Sequence, residues 1–187
     1  MDALEKALKG GKLDYSESDF LLVDQIVEKN SRIINEINYQ NHTADERRAL
    51  FSRLFGYQVP ATSDIKAPFN ADVGCHTFVK GNVFINKDCF FMDLGGIWIG
   101  EGTKIGPRVS LITVNHEEGP TQRRNMITKS IHLEKNVWLG AGVTVLPGVT
   151  IGENSIVGAA SVVTKDVAPN SVIVGSPARK IRDVRRN

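Results

Sequence analysis

The chain has 187 residues, 41% of them apolar and 24% charged, with 23 Lys and Arg against 21 Asp and Glu. That balance supports a packed core, excludes global disorder, and excludes a surface built mainly to hold nucleic acid. Cys75 and Cys89 form neither a disulfide framework nor a CxxC metal pair. The first residues lack the basic-then-apolar profile of a signal peptide and no apolar run reaches membrane length, so the expected compartment is the cytoplasm.

From about Ser16 to Tyr39, Phe20, Val23, Ile26, Val27, Ile33, Ile34 and Ile37 recur at helical spacing. Thr43-Ala44-Asp45-Glu46 reads as a capping box opening a second helix with Leu50, Leu54 and Phe55 on its apolar side, ended by Gly56 and Pro60. Neither helix can bury itself alone, so residues 1–60 are expected to form a helical region that caps the remainder.

From Val73 onward an aliphatic residue recurs every six positions: Val73, Val79, Ile85; after a two-residue slip at Leu94-Gly95-Gly96, Ile99, Ile105, Leu111; and after a polar interruption, Leu133, Leu139, Val145, Ile151, Val157, Val163. The fifth position of each unit is small or β-branched in every case but Asn115. A period of six fits neither an amphipathic helix nor a simple alternating strand. It fits a short strand with one inward aliphatic side chain, then a corner that Gly eases. Three units close a triangular coil, and stacked coils pair in parallel sheets. The expected domain is a parallel β-helix over 61–168, interrupted by a loop at about 113–130 and followed by a tail, 169–187, packed on its outside.

A loop leaving a rigid solenoid is a natural carrier of function. His116 stands at its root, where the fifth-position rule fails, and an imidazole can take and return a proton near neutral pH. The loop continues through Glu117, which could orient the imidazole, as could a partner carbonyl, to Arg123-Arg124.

These repeats, the Asn115-His116 pair, the segment Asn136-Val137-Trp138-Leu139-Gly140 and the run Gly158 to Asp166 together resemble the hexapeptide-repeat acetyltransferases, in their maltose and galactoside O-acetyltransferase branch. The likeness spans nearly the whole chain. It implies an all-β left-handed parallel β-helix; the hand comes from the resemblance, because the usual crossover rule predicts the opposite. It implies acetyl-CoA as co-substrate without a metal, a homotrimer with sites between subunits, and direct transfer to a hydroxyl of a sugar-like acceptor with His116 as general base. The backbone N–H of Ala141 would stabilise the oxyanion. Asp19, Asp72, Phe84, Asn86 and Asp93 match acceptor positions. Trp138, Ala141, Ala159, Thr164, Lys165, Arg179 and Arg182 match coenzyme positions, the cations suiting phosphate oxygens. Leu94 and the order Asp14-Tyr15 depart from the branch pattern and leave the acceptor open.

Three other readings compete. A zinc carbonic anhydrase of the same fold needs three converging histidines, and this chain has His42, His76, His116 and His132 without a second histidine in the loop. A streptogramin or chloramphenicol O-acetyltransferase resembles the repeats but usually lacks the opening helices. A non-catalytic scaffold would not need His116 or the basic coenzyme positions.

Overall fold

The computed structural model describes residues 1–16 and 18–185, with Asp19 described by its backbone alone. The six-residue repeat folds into a parallel β-helix with three walls. The first holds Asp64–Ile65, Phe84–Ile85, Lys104–Ile105, Trp138–Leu139, Ile156–Val157 and Ser171–Gly175. The second holds Phe69–Ala71, Cys89–Met92, Ser110–Ile112, Thr144–Val145 and Val162–Val163. The third holds Thr77–Val79, Ile97–Ile99, Ile131–Leu133 and Thr150–Ile151.

Register explains the periodicity. Ile85 pairs with Ile105 and Leu139 with both Ile105 and Val157, so one inward position stacks on the next. All the first-position aliphatics from Val73 to Val163 are at most 4% exposed. Each contributes roughly 1.5–3 kcal/mol of burial to the column. The small fifth-position residues, including Thr77, Thr103, Ser155 and Ser161, are buried with them, whereas Asn115 is exposed.

Corners stack as strictly as strands. Asn136, Asn154 and Asn170 are left-handed, with φ of 56°, 61° and 57°, a conformation that Asn tolerates better than most side chains. Their amides form a ladder, Asn136 donating to Asn154 at 3.2 Å and Asn154 to Asn170 at 3.1 Å. Beyond the repeat, Ser171–Gly175 adds one more parallel rung to the first wall, burying Ile173 beneath Val157. Ala178–Asp183 then reverses and pairs antiparallel with it. The register of the first wall therefore runs past Pro169, because Val172 and Ile173 still bury themselves.

The N-terminal region covers the opposite end. Helices α1 (Ala3–Lys9), α2 (Leu21–Tyr39) and α3 (Ala44–Phe55) precede the coils, α3 opened by the Thr43/Glu46 capping box and ended by left-handed Gly56. The first coil has no coil above it, so its backbone groups need other partners. Asn38 both donates to Phe69 O and accepts from Phe69 N–H at 2.9 Å, Asn30 donates to Val73 O at 2.6 Å, and Arg47 donates to Ile65 O at 2.9 Å. Phe51 of α3 meets Phe69 edge-on at 5.3 Å, and Phe69 meets Phe91 at 5.0 Å, closing the top of the core.

Candidate active site

The loop does not leave the solenoid unsupported. Val114–His116 and Met126–Thr128 form its two stems, and Gly11–Leu13 adds a third antiparallel strand outside Met126–Thr128. Met126 lies opposite both His116 and Leu13, so the exposed imidazole rises from a three-stranded platform. Glu117 does not orient it. Its carboxylate pairs with Lys12 at 2.8 Å and accepts from Asn125 at 3.1 Å, and both contacts lower its pKa, Lys12 foremost. Asn125 in turn accepts from Tyr15 N–H at 3.2 Å. The acidic residue beside the histidine thus ties the loop to the N-terminal strand.

His116 opens onto a cleft of about 360 Å³ between loop, helix α2 and the upper coils. Phe20, Val23, Val27, Leu94 and Met126 make its apolar side, while Asp24, Asp72, Arg123 and Arg124 join His116 in supplying polar groups. Arg124 lies over the Tyr15 ring at 3.8 Å from its centre, and Tyr15 leans on Phe20 at 4.7 Å. Tyr15, Arg123, Arg124 and Met126 line this cleft without matching an acceptor or coenzyme position in the sequence. The available signal was two adjacent cations in the excursion loop.

Asp72 and Asp93 separate sharply. Asp72 is half-buried in the cleft, and burial, helped by the charge of Asp93, pushes its carboxyl up to about 6. Asp93 is fully buried: one oxygen accepts from Val73 and Gly74 N–H at 2.9 and 3.0 Å, the other from the Thr77 hydroxyl at 2.9 Å. Burial raises its pKa against those three bonds. Asp93, expected at an acceptor position, thus has its carboxylate engaged by the corner at residues 73–77 of the coil above, beside the widened corner at Leu94-Gly95-Gly96 where the repeat slips. Gly95 N–H donates to Thr113 there, at 2.8 Å.

The other expected residues lie elsewhere on the chain. Phe84 and 53%-exposed Trp138 face outward from the first wall, aligned through Lys104. Asn86, Ala141 and Ala159 follow strands of that wall, on the edge leading to the second. This edge is slim by necessity: a Cβ on Gly106 would stand 2.8 Å from Ala141 N, and one on Gly140 2.7 Å from Ala159 N. Ala141 N–H has no acceptor among the described residues. Thr164 and Lys165 follow the last strand of the second wall, and Arg179 and Arg182 lie exposed on the closing strand. Lys165 and Arg179 line a common cleft of about 300 Å³. The side chain of Asp19 lies outside the described residues.

Two separate edges therefore carry the chemistry. His116 emerges between the second and third walls, and Ala141 between the first and second. The remaining histidines do not join His116: His76 is buried against Leu94 O, His132 stacks on Trp98 at 4.8 Å, and His42 meets Glu36 O. Among the described residues no group of three His, Cys, Asp or Glu side chains is placed to hold a metal ion, and no helix is long and apolar enough to cross a membrane.

Comparison with known proteins shows an acyltransferase built on a left-handed parallel β-helix. Residues 130–165 match the model of the bacterial transferase hexapeptide (six repeats). The galactoside O-acetyltransferase of Lactococcus lactis is 35% identical over 158 residues, covering 81% of this chain and 76% of that protein. A hexapeptide-repeat acetyltransferase from Vibrio cholerae, solved with acetyl coenzyme A, superposes with a TM-score of 0.89 at 34% identity and full coverage of both chains. A maltose O-acetyltransferase from Clostridium difficile gives 0.91 at 31% identity, covering 100% of this chain and 99% of that one. The chain belongs to the hexapeptide-repeat acetyltransferases, in the branch of the maltose and galactoside enzymes.

Proposed function

We propose that the protein transfers the acetyl group of acetyl-CoA to a hydroxyl of a sugar-like acceptor bound in the His116 cleft. The observation that carries this reading is the exposed imidazole fixed by a three-stranded platform at the mouth of that cleft. His116 takes the hydroxyl proton as the oxygen attacks, and later delivers it to the departing thiolate, so no acyl-enzyme is required. Acetyl-CoA supplies an activated thioester carbonyl. Ala141 N–H is free to receive the negative charge developing on that carbonyl oxygen. The Gly106, Gly140 and Ala159 edge is slim enough for a pantetheine arm, bordered by Trp138, while Thr164, Lys165, Arg179 and Arg182 suit the phosphates.

Acceptor and thioester must meet, yet His116 and Ala141 stand on different edges of one chain. A homotrimer in which the loop of one subunit faces the slim edge of its neighbour completes the site, with Phe84 and Asn86 reaching the acceptor from that neighbour. Asp72 contacts the acceptor from the His116 side. Turnover of acetyl-CoA with a sugar panel tests the mechanism: His116→Ala should lose on the order of 10²–10⁴ in kcat. Equal activity in variant and wild type would overturn it.

A further inference from the structure

Among the described residues, the His116 cleft carries two arginines that no acid pairs with. Arg123 and Arg124 both line it, both are exposed, and neither has a carboxylate within ion-pair distance among the described residues. This contrasts with the arginines of the helical region, where Arg32, Arg47, Arg48 and Arg53 all pair with acids. Nor is Arg124 a free surface chain. Its guanidinium lies 3.8 Å from the Tyr15 ring centre, and Tyr15 is held in turn by its backbone bond to Asn125 and by Phe20. The ring contact holds the guanidinium in place without using its N–H groups, which remain to donate to a carboxylate or phosphate, an anion that Arg can recognise in a bidentate manner.

The described acids of the cleft match its arginines in number but stand apart from them. Asp24 and Asp72 line it but form no ion pair with either arginine. Burial, helped by the charge of Asp93, raises the Asp72 carboxyl. Leu94, at 1% exposure, adds an apolar wall. The polar half of the cleft thus presents an organised cation, a second cation and the histidine on one loop.

We propose that Arg124, positioned by Tyr15 and assisted by Arg123, selects an acceptor that carries an anionic group, a carboxylate or phosphate, beside the hydroxyl to be acetylated. This rests on the transferase reading above and narrows its acceptor class. Tyr15 acts through Arg124 and is a positioning residue.

The test compares methyl glucoside, glucuronate and glucose 6-phosphate as acceptors for the full-length protein with acetyl-CoA, reading kcat/KM. One or both anions should exceed the neutral sugar by roughly tenfold or more, the scale of a charge-assisted bond. The two anions distinguish carboxylate from phosphate recognition. Arg124→Gln should reduce the anionic-to-neutral ratio at least tenfold, through KM more than kcat. Arg124→Lys should restore only part of it, because the point charge remains while the planar fork is lost. Tyr15→Leu should lower the same ratio. Ligand-observed NMR of the three sugars separates the two readings. Turnover without charge preference, or a ratio unmoved by Arg124→Gln, overturns the anionic acceptor and leaves the transferase intact. Anion-selective binding sensitive to Arg124 but without transfer sustains the selectivity and sinks the reaction.

Discussion

Asp72 offers a quantitative test of how the cleft is built. Raising a carboxyl from 3.8 to about 6 corresponds to at most about 3 kcal/mol favouring the neutral over the ionised form in the folded state. At pH 4 the folded chain keeps the proton and the unfolded chain, titrating near 3.8, is only about half ionised, so Asp72 costs less than about 1 kcal/mol. As pH rises toward 6 the unfolded chain ionises first while the folded chain resists, and stability is lost. Above that the penalty is constant. Asp72→Asn removes the titration. Thermal midpoints of variant and wild type, at one protein concentration, should differ little from acid-linked causes at pH 4. At pH 8 the variant should gain by up to roughly 6–12 °C relative to that baseline, about 2–4 °C per kcal/mol for a chain of this size. Its acetyl transfer should fall, the usual cost of relieving a strained functional group. A midpoint difference that does not change between pH 4 and pH 8, or changes in favour of wild type, would refute the burial account of Asp72.

Other perturbations address the scaffold and the loop. Gly140→Ala places a Cβ 2.7 Å from Ala159 N and should destabilise by roughly 1–3 kcal/mol, read by denaturant unfolding. At the middle rung of the amide ladder, Asn154→Ala should be less stable than Asn154→Gly by about 1–2 kcal/mol, because both lose the amides but only Gly accepts φ of 61° freely; equal midpoints would remove the left-handed corner as a source of cost. Glu117→Gln breaks the tie to Lys12. Amide exchange over residues 114–128 should then accelerate while the coils remain protected, and unchanged exchange would show the loop is held otherwise.

The fold was legible because a solenoid writes its geometry into sequence at a fixed period. Each inward position must fill the same column, so Val, Ile or Leu returns every six residues and small residues fill the fifth place. The slip at Leu94-Gly95-Gly96 and the failure at Asn115 marked the widened corner and the loop root, both of which border the cleft. What sequence could not show was depth and partnership at those irregular places. Asp72 and Asp93 look alike in the chain, yet one lines the cleft and the other has all its oxygens taken by Val73, Gly74 and Thr77. Glu117 sits next to His116 but turns to Lys12, 105 positions earlier, because Gly11–Leu13 pairs with the loop. A three-residue strand joined to a distant loop leaves no periodic trace. Neither does the stack of Arg124 on Tyr15.

The separation of His116 from Ala141 makes a prediction about symmetry. In a cyclic trimer each site would take its histidine from one subunit and its slim edge from the next. His116→Ala removes the base but leaves the edge. Ala159→Trp, at an exposed corner, obstructs the edge but leaves the base. Each variant alone should be inactive. Unfolding and refolding an equal mixture distributes subunits at random, and every hybrid trimer then contains one histidine facing one open edge. Hybrids make up three quarters of such trimers, so recovered activity should approach roughly one quarter of wild type. Sites contained within single subunits would recover none, since no chain in the mixture carries both an intact base and an open edge. Recovery near one quarter would also require that the loop face the neighbour's first-to-second edge and no other.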